Sequence, residues 1–334
     1  MTGRPRRWAW AWARRVALAL PLLLGAARAA ALAVPGLPDS ALAVWRDGRW
    51  TTWWRSAHAP ARWTAPAPAL VAGLRWRPAA PGVAWGELRL AGDGEAWRVR
   101  VVVARIDPER ARLVLRGAVA RTARGPRPAW TVDSAPAHAA LALNAGQFSG
   151  AAPWGWLVHA GREYRAPGTG PLAPAVVVDT AGRVTIVPAD SLPALRAATA
   201  AAIARGATPA VREAFQSYPA LLRDGAVPAP LHAPGRGVDV AHRDARLAVC
   251  TQRDGRVLVA LTRFDALDGA LDVVPFGPTV PEMAALMGAL GCRDAVLLDG
   301  GISGQLLLRD AGGATRRWPG LRRVPLGLVV EPRD

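Results

Sequence analysis

The stretch Ala295-Val296-Leu297-Leu298-Asp299-Gly300-Gly301-Ile302-Ser303 decides how the chain is read. Its apolar run reads as a short buried strand. The strand delivers a carboxylate, Asp299, to a Gly-Gly turn, with the hydroxyl of Ser303 just beyond. Glycine lets the backbone approach a ligand closely or adopt positive φ. A carboxylate at a strand end can act as base, nucleophile or acceptor for sugar hydroxyls. On local sequence alone, the same residues also read as an Asp-Gly turn that satisfies its own backbone.

Similar short strands lie on either side of it. Downstream are Gln305–Leu308 and Leu326–Val330; upstream are Arg246–Thr251 and Arg256–Thr262. Further back, Trp85–Leu90, Trp97–Ile106, Ala111–Leu115, Ala139–Leu143, Ala175–Asp179 and Arg183–Val187 carry strand signals separated by Gly, Asp or Pro turns. The last two flank Thr180-Ala-Gly182 and read as a hairpin. Two helices interrupt this pattern. Asp190 or Ser191 can cap the first, which ends at Gly206. The second starts at Thr279, places Met283, Leu286, Met287 and Leu290 on one face, and ends at Gly291. Thr279-x-x-Glu282 has the form of a capping box, and that is the first role expected of Glu282. Many strands with few helices predict an α+β fold with a mixed or antiparallel sheet core.

Three more segments carry chemistry-bearing residues. Asn144 sits where the strand Leu141-Ala-Leu meets the small residues Ala145 and Gly146; it reads as a ligand for hydroxyl or phosphate oxygen, or as a turn cap. Gln216-Ser217-Tyr218-Pro219 reads as a binding segment or a plain polar loop. Arg246 opens an apolar strand, where an arginine either snorkels at an edge or turns inward as an anion ligand.

Together these segments resemble the phosphodiester glycosidase family. Asn144-Ala-Gly-Gln-Phe148 is similar to its Asn-Gly-Gly-Phe-Phe motif, Ala245-Arg-Leu-Ala-Val-Cys250 to Ala-Arg-Thr-Ala-Ile-Gly, Pro281-Glu-Met-Ala284 to Trp-Glu-Met-Ala, and Leu298-Asp-Gly-Gly-Ile-Ser303 to Leu-Asp-Gly-Gly-Gly-Ser. The Gln-Ser segment resembles a bacterial exported branch of that family. The resemblance runs from about residue 74 to the C-terminus. It implies hydrolysis of a sugar-1-phosphodiester without cofactor or metal. Asp299 and Arg246 would be catalytic, and Asn144, Gly146, Gln216, Ser217, Gly300, Gly301 and Ser303 would bind substrate. Leu247, Cys250 and Ile302 depart from the family pattern and favour an alternative: a non-catalytic protein binding phosphorylated exopolysaccharide or wall polymer. A serine hydrolase using Ser217 or Ser303 is a third reading, which requires the fold to bring up His159, His232 or His242.

Composition sets the surroundings. Of 334 residues, 51% are hydrophobic and 20% charged, which excludes a disordered acidic chain. Residues 1–29 hold six arginines and no acid, around an apolar run of about 12 residues, Val16 to Ala27, that is too short to span a bilayer. With the small-residue pattern Ala27-Arg28-Ala29 this predicts a secretory signal peptide over 1–29, and hence a periplasmic or secreted protein without a membrane span. A Trp- and Pro-rich linker or loosely packed extension is expected over 30–73, and the main domain over 74–334. Without residues 1–29 the net charge falls from +17 to +11, which attracts polyanions. No nucleic-acid-binding module is recognisable, so a phosphorylated glycan is the expected partner. Two cysteines, Cys250 and Cys292, exclude a disulfide scaffold and leave one bridge to form.

Overall fold

The computed structural model describes residues 40–92, 97–117, 130–150 and 152–333; the signal peptide expected over 1–29 lies outside them. Its largest element is a sheet of nine strands. In spatial order these are Ala220–Leu222, Cys292–Leu298, Leu247–Gln252, Val257–Phe264, Arg98–Ile106, Val83–Gly92, Ala41–Arg46 and Arg49–Arg55, with Arg77–Ala80 also paired to Val83–Gly92. A second sheet runs Arg162–Arg165, Leu157–His159, Val211–Gln216, Ala175–Asp179, Val184–Val187. A third runs Thr315–Trp318, Leu306–Arg309, Leu141–Asn144, Leu326–Pro332, Ala111–Gly117. The pairings are antiparallel, so the α+β expectation with a sheet core holds.

The three sheets share one apolar core. Leu247, Val249 and Val296 of the first meet Val176 and Phe215 of the second and Leu141, Leu306 and Leu328 of the third. Alternation sends Ala248 and Cys250 to the other face of their strand. They are buried there too, because the helix Val280–Ala289 lies against Ala220–Leu222 and Cys292–Leu298 of that sheet. Burial on both faces is why these strands read as unbroken apolar runs. The helix begins as predicted: Thr279 Oγ1 accepts from the Glu282 N–H at 3.4 Å, and Glu282 accepts from the Thr279 N–H at 2.9 Å. Cys250 and Cys292 are joined across neighbouring strands.

Two expectations are corrected. The helix Leu192–Ala204 has no side-chain cap; Ala189–Ser191 forms a 3-10 turn instead, and the Asp190 carboxylate takes the Ser191 hydroxyl and Arg223. Residues 41–55 are not a loose linker. They form a hairpin whose first strand continues the main sheet, with Ala43 opposite Ala91, so the boundary expected at residue 74 falls inside that sheet. Residues beyond it are fastened to the helix Val280–Ala289. Trp63 covers Gly288 so closely that a Cβ there would stand 2.2 Å from the indole, and the Ala67 N–H donates to the Ala289 carbonyl at 2.8 Å. Among the described residues no helix is long and apolar enough to cross a membrane.

Candidate active site

Three strand ends meet at one end of the core. The strand Leu141–Asn144 arrives with Asn144, Cys292–Leu298 with Asp299, and Leu247–Gln252 departs from Arg246. Backbone bonds lock them together: the Asp299 N–H donates to Gly146 O at 3.0 Å and the Gly301 N–H to Ala245 O at 2.8 Å. Gly300 packs on the same carbonyl, where a Cβ would come within 2.3 Å of Ala245 O, so only glycine lets the turn close. Asn144 is fully buried; its Nδ2 donates to Asp299 O at 2.7 Å and its Oδ1 accepts from the Gln305 N–H at 3.0 Å. It fixes the backbone that carries Asp299.

Asp299 is half-buried. Burial pushes its carboxyl above the ordinary range, against a hydrogen bond from the Ser303 hydroxyl and the charge of Arg322. Arg246 is also half-buried: its Nε donates to Pro278 O at 3.0 Å and its Nη2 to His242 O. Burial lowers its proton affinity and nearby Asp244 restores part of it. Of the five N–H donors of a guanidinium, three on Arg246 have no partner among the described residues. Asn144, Gly146, Arg246, Asp299, Gly300, Gly301 and Ser303 are thus brought together.

The side chains of Gln216 and Ser217, where binding groups were expected, are spent on the backbone. Gln216 ends the strand Val211–Gln216 and is fully buried. Its Oε1 accepts from the N–H groups of Trp156 (2.9 Å) and Gly168 (2.7 Å), and its Nε2 donates to the carbonyls of Gly168 (3.1 Å) and Ala173 (2.7 Å). That exhausts the amide. The Ser217 hydroxyl, also buried, donates to Leu297 O. Neither Ser217 nor Ser303 is bonded to a histidine; His159 is held by Glu213 at 2.9 Å. Of the three departures, Leu247 is in the central core and Cys250 is in the disulfide, so only Ile302, 43% exposed, reaches the site.

Sequence reasoning missed three residues. Asp244 lies two positions before Arg246, one step outside the matched motif. Its Oδ1 is buried without a hydrogen-bond partner, and burial pushes its carboxyl up, against the charges of Arg246 and His242. Arg322 is exposed, with its guanidinium 5.8 Å from the centre of the Phe148 ring; no local pattern marks it. Arg263 is buried, and its Nη2 donates to the carbonyls of Gly304 (2.7 Å), Trp318 (3.0 Å) and Pro319 (2.9 Å). It thereby binds the base of the Asp299 turn to the loop that carries Arg322. Burial lowers its pKa to about 10, so it stays charged at neutral pH. Glu282 adds to its capping role a pair with Arg243, at 2.7 and 3.1 Å. Among the described residues no three His, Cys, Asp or Glu side chains are grouped to hold a metal ion.

The fold is similar to that of the catalytic domain of zebrafish N-acetylglucosamine-1-phosphodiester alpha-N-acetylglucosaminidase, whose structure is auto-inhibited by its pro-peptide. The TM-score is 0.54 at 16% identity, over 83% of this chain and 94% of that one. A hypothetical protein from Synechocystis is similar at a TM-score of 0.45 and 18% identity over 75% of this chain, which spans 62% of the length of that protein. No curated protein matches the chain. The sequence profile of the phosphodiester glycosidases, a family of glycosidase-type hydrolases, matches residues 137–331, the stretch that supplies Asn144, Arg246 and Asp299. With more than half of its length covered and these three strand ends inside the match, the chain belongs to the phosphodiester glycosidase family.

Proposed function

We propose that the protein is an exported hydrolase that cleaves the bond between a sugar's anomeric carbon and a phosphodiester in an envelope or extracellular glycan. The observation that carries this reading is the meeting of Asp299 and Arg246 at adjacent strand ends, both withdrawn from solvent and both incompletely paired. A phosphate leaves more readily than a sugar alkoxide and asks less of a general acid. Arg246 offers its spare donors to the phosphate through charge-assisted bonds, with Arg322 at the rim. Asp299, oriented by Ser303, serves as nucleophile or as base for water. Export is supported by the basic and apolar pattern of residues 1–29 and by the disulfide, which suits an oxidising compartment. The rival reading, a glycan-binding protein without turnover, now rests on Ile302 alone.

A panel of sugar-1-phosphodiesters tests the proposal with the full chain and with Asp299→Asn. The expected result is release of free sugar and a phosphomonoester, reduced about 10³-fold or more in the variant. Binding of an anionic glycan with no release from any donor would instead support the binding protein.

A further inference from the structure

Asp244 and Asp299 come from neighbouring strands to the same two glycines. Asp299 leads into the Gly300-Gly301 turn, and the Asp244 carboxylate lies against it. A Cβ on Gly301 would stand 2.8 Å from Asp244 Oδ2 and 3.1 Å from Oδ1. On its own element Asp244 accepts from the Ala245 N–H, lies 3.8 Å from His242 Nε2 and feels the charge of Arg246; from the turn it feels the charge of Asp299. Beyond Arg246 stand Asp239, Glu282 and Arg243, and beyond Asp299 stands Arg322.

The two carboxylates are provided for differently. Ser303 donates to Asp299, which favours the ionised form there. Oδ1 of Asp244 is buried with no donor to meet it. An ionised oxygen in that position bears its desolvation cost uncompensated, whereas a protonated one is neutral and becomes a donor. Two desolvated acids placed at one turn do not both ionise readily. Burial raises both groups, and the charge of Asp299 raises Asp244 further.

We propose that Asp244 is a second catalytic carboxylate, which carries the one proton of the pair and gives it to the phosphate oxygen leaving the anomeric carbon. This role rests on the glycosidase reading above. As the water oxygen bonds to the anomeric carbon, the bond from that carbon to the phosphate oxygen breaks, and its electron pair stays on the phosphate. Asp299 takes one proton from the water, and Asp244 gives one to the departing oxygen. The products are a sugar with a free anomeric hydroxyl and a hydrogen phosphate monoester. The pair still holds one proton, now on Asp299, which passes back to Asp244. A phosphomonoester has a second pKa of about 6, so the proton is useful to it near neutrality.

The test compares the full chain with Asp244→Asn and Asp299→Asn, using sugar-1-phosphate methyl esters of both anomers. In Asp244→Asn, kcat should fall about 100-fold with KM little changed, and the high-pH limb of the profile should disappear. In carbon-13 spectra of labelled aspartate, one carboxyl should titrate above the ordinary range, vanish in Asp244→Asn and move down in Asp299→Asn. Folding serves as a control with a definite sign. A raised folded-state pKa gives stability that is present at low pH and lost as pH rises through it. At neutral pH, Asp244→Asn should therefore melt no lower than wild type. Turnover by wild type with an unaffected Asp244→Asn, or an Asp244 that titrates near the ordinary value of about 4, overturns this role alone. No turnover by wild type overturns the glycosidase reading and this role with it.

Discussion

The strands Leu247–Gln252 and Cys292–Leu298 lie side by side, and their two ends treat charge in opposite ways. At the end away from the site, Arg293 pairs with Asp294 at 2.7 Å and Arg256 with Asp254 at 2.9 Å, and Arg253 lies 3.6 Å from Asp224. Those arginines are 42–49% exposed, so water screens the pairs and little energy depends on them. At the other end Asp244, Arg246 and Asp299 are drawn out of solvent and only partly paired. The same strands thus carry charge that is neutralised where it stands and charge that is withdrawn from solvent and left partly unpaired. Perturbed groups of the second kind mark sites of chemistry.

Removing the disulfide tests what holds the quiet end. Cys250 and Cys292 are 42 residues apart, and a loop of about that length predicts a loss of about 4 kcal/mol on double replacement by serine. Chemical denaturation should show that loss, while turnover per folded molecule stays near wild type. A matching fall in turnover would mean that the two ends are not independent. The next largest effect belongs to the active end. Arg263→Met strips the carbonyls of Gly304, Trp318 and Pro319 of their shared donor, at a cost of about 3 kcal/mol. Here kcat should fall as well, because those carbonyls fix the turn after Asp299 and the loop before Arg322. Unchanged kcat in a destabilised variant would reduce Arg263 to scaffolding.

Much of this contrast was legible in the sequence where apolar strands end in small residues. Asp299, Asn144 and Arg246 each stand at such a junction, and the hairpin Ala175–Asp179 with Val184–Val187 turns where expected, with Gly182 at φ +85°. The first hairpin was missed although it carries a signal: Asp47-Gly48, both at positive φ, is a favoured two-residue turn. Its strand Arg49–Arg55 hides that signal, because tryptophan and threonine follow no strict alternation. Gln216 is hard to read for a different reason. A sequence does not say whether an amide faces a ligand or the backbone, and here Trp156, Gly168 and Ala173 occupy it completely. Arg322 lay beyond sequence reasoning, since Arg263, far from it along the chain, is what holds its loop in place.

The smallest expected effect is the most exacting test of the comparison. Arg256 pairs with Asp254, a residue two positions away and half exposed. It also works against its neighbour: Arg105, lying over the Trp76 ring at 4.4 Å, has its proton affinity lowered by burial first and by the charge of Arg256 second. Arg256→Ala therefore loses a screened attraction and relieves a repulsion, and its stability should stay within about 0.5 kcal/mol of wild type. Turnover should not change at all, because no buried group at the site depends on this turn. A loss of several kcal/mol would show that the exposed pairs act as a network, and a loss of turnover would show that charge at one end of these strands is felt at the other. Either result breaks the division between the two ends. A silent Arg256→Ala beside a silenced Asp299→Asn establishes it on two residues borne by the same sheet.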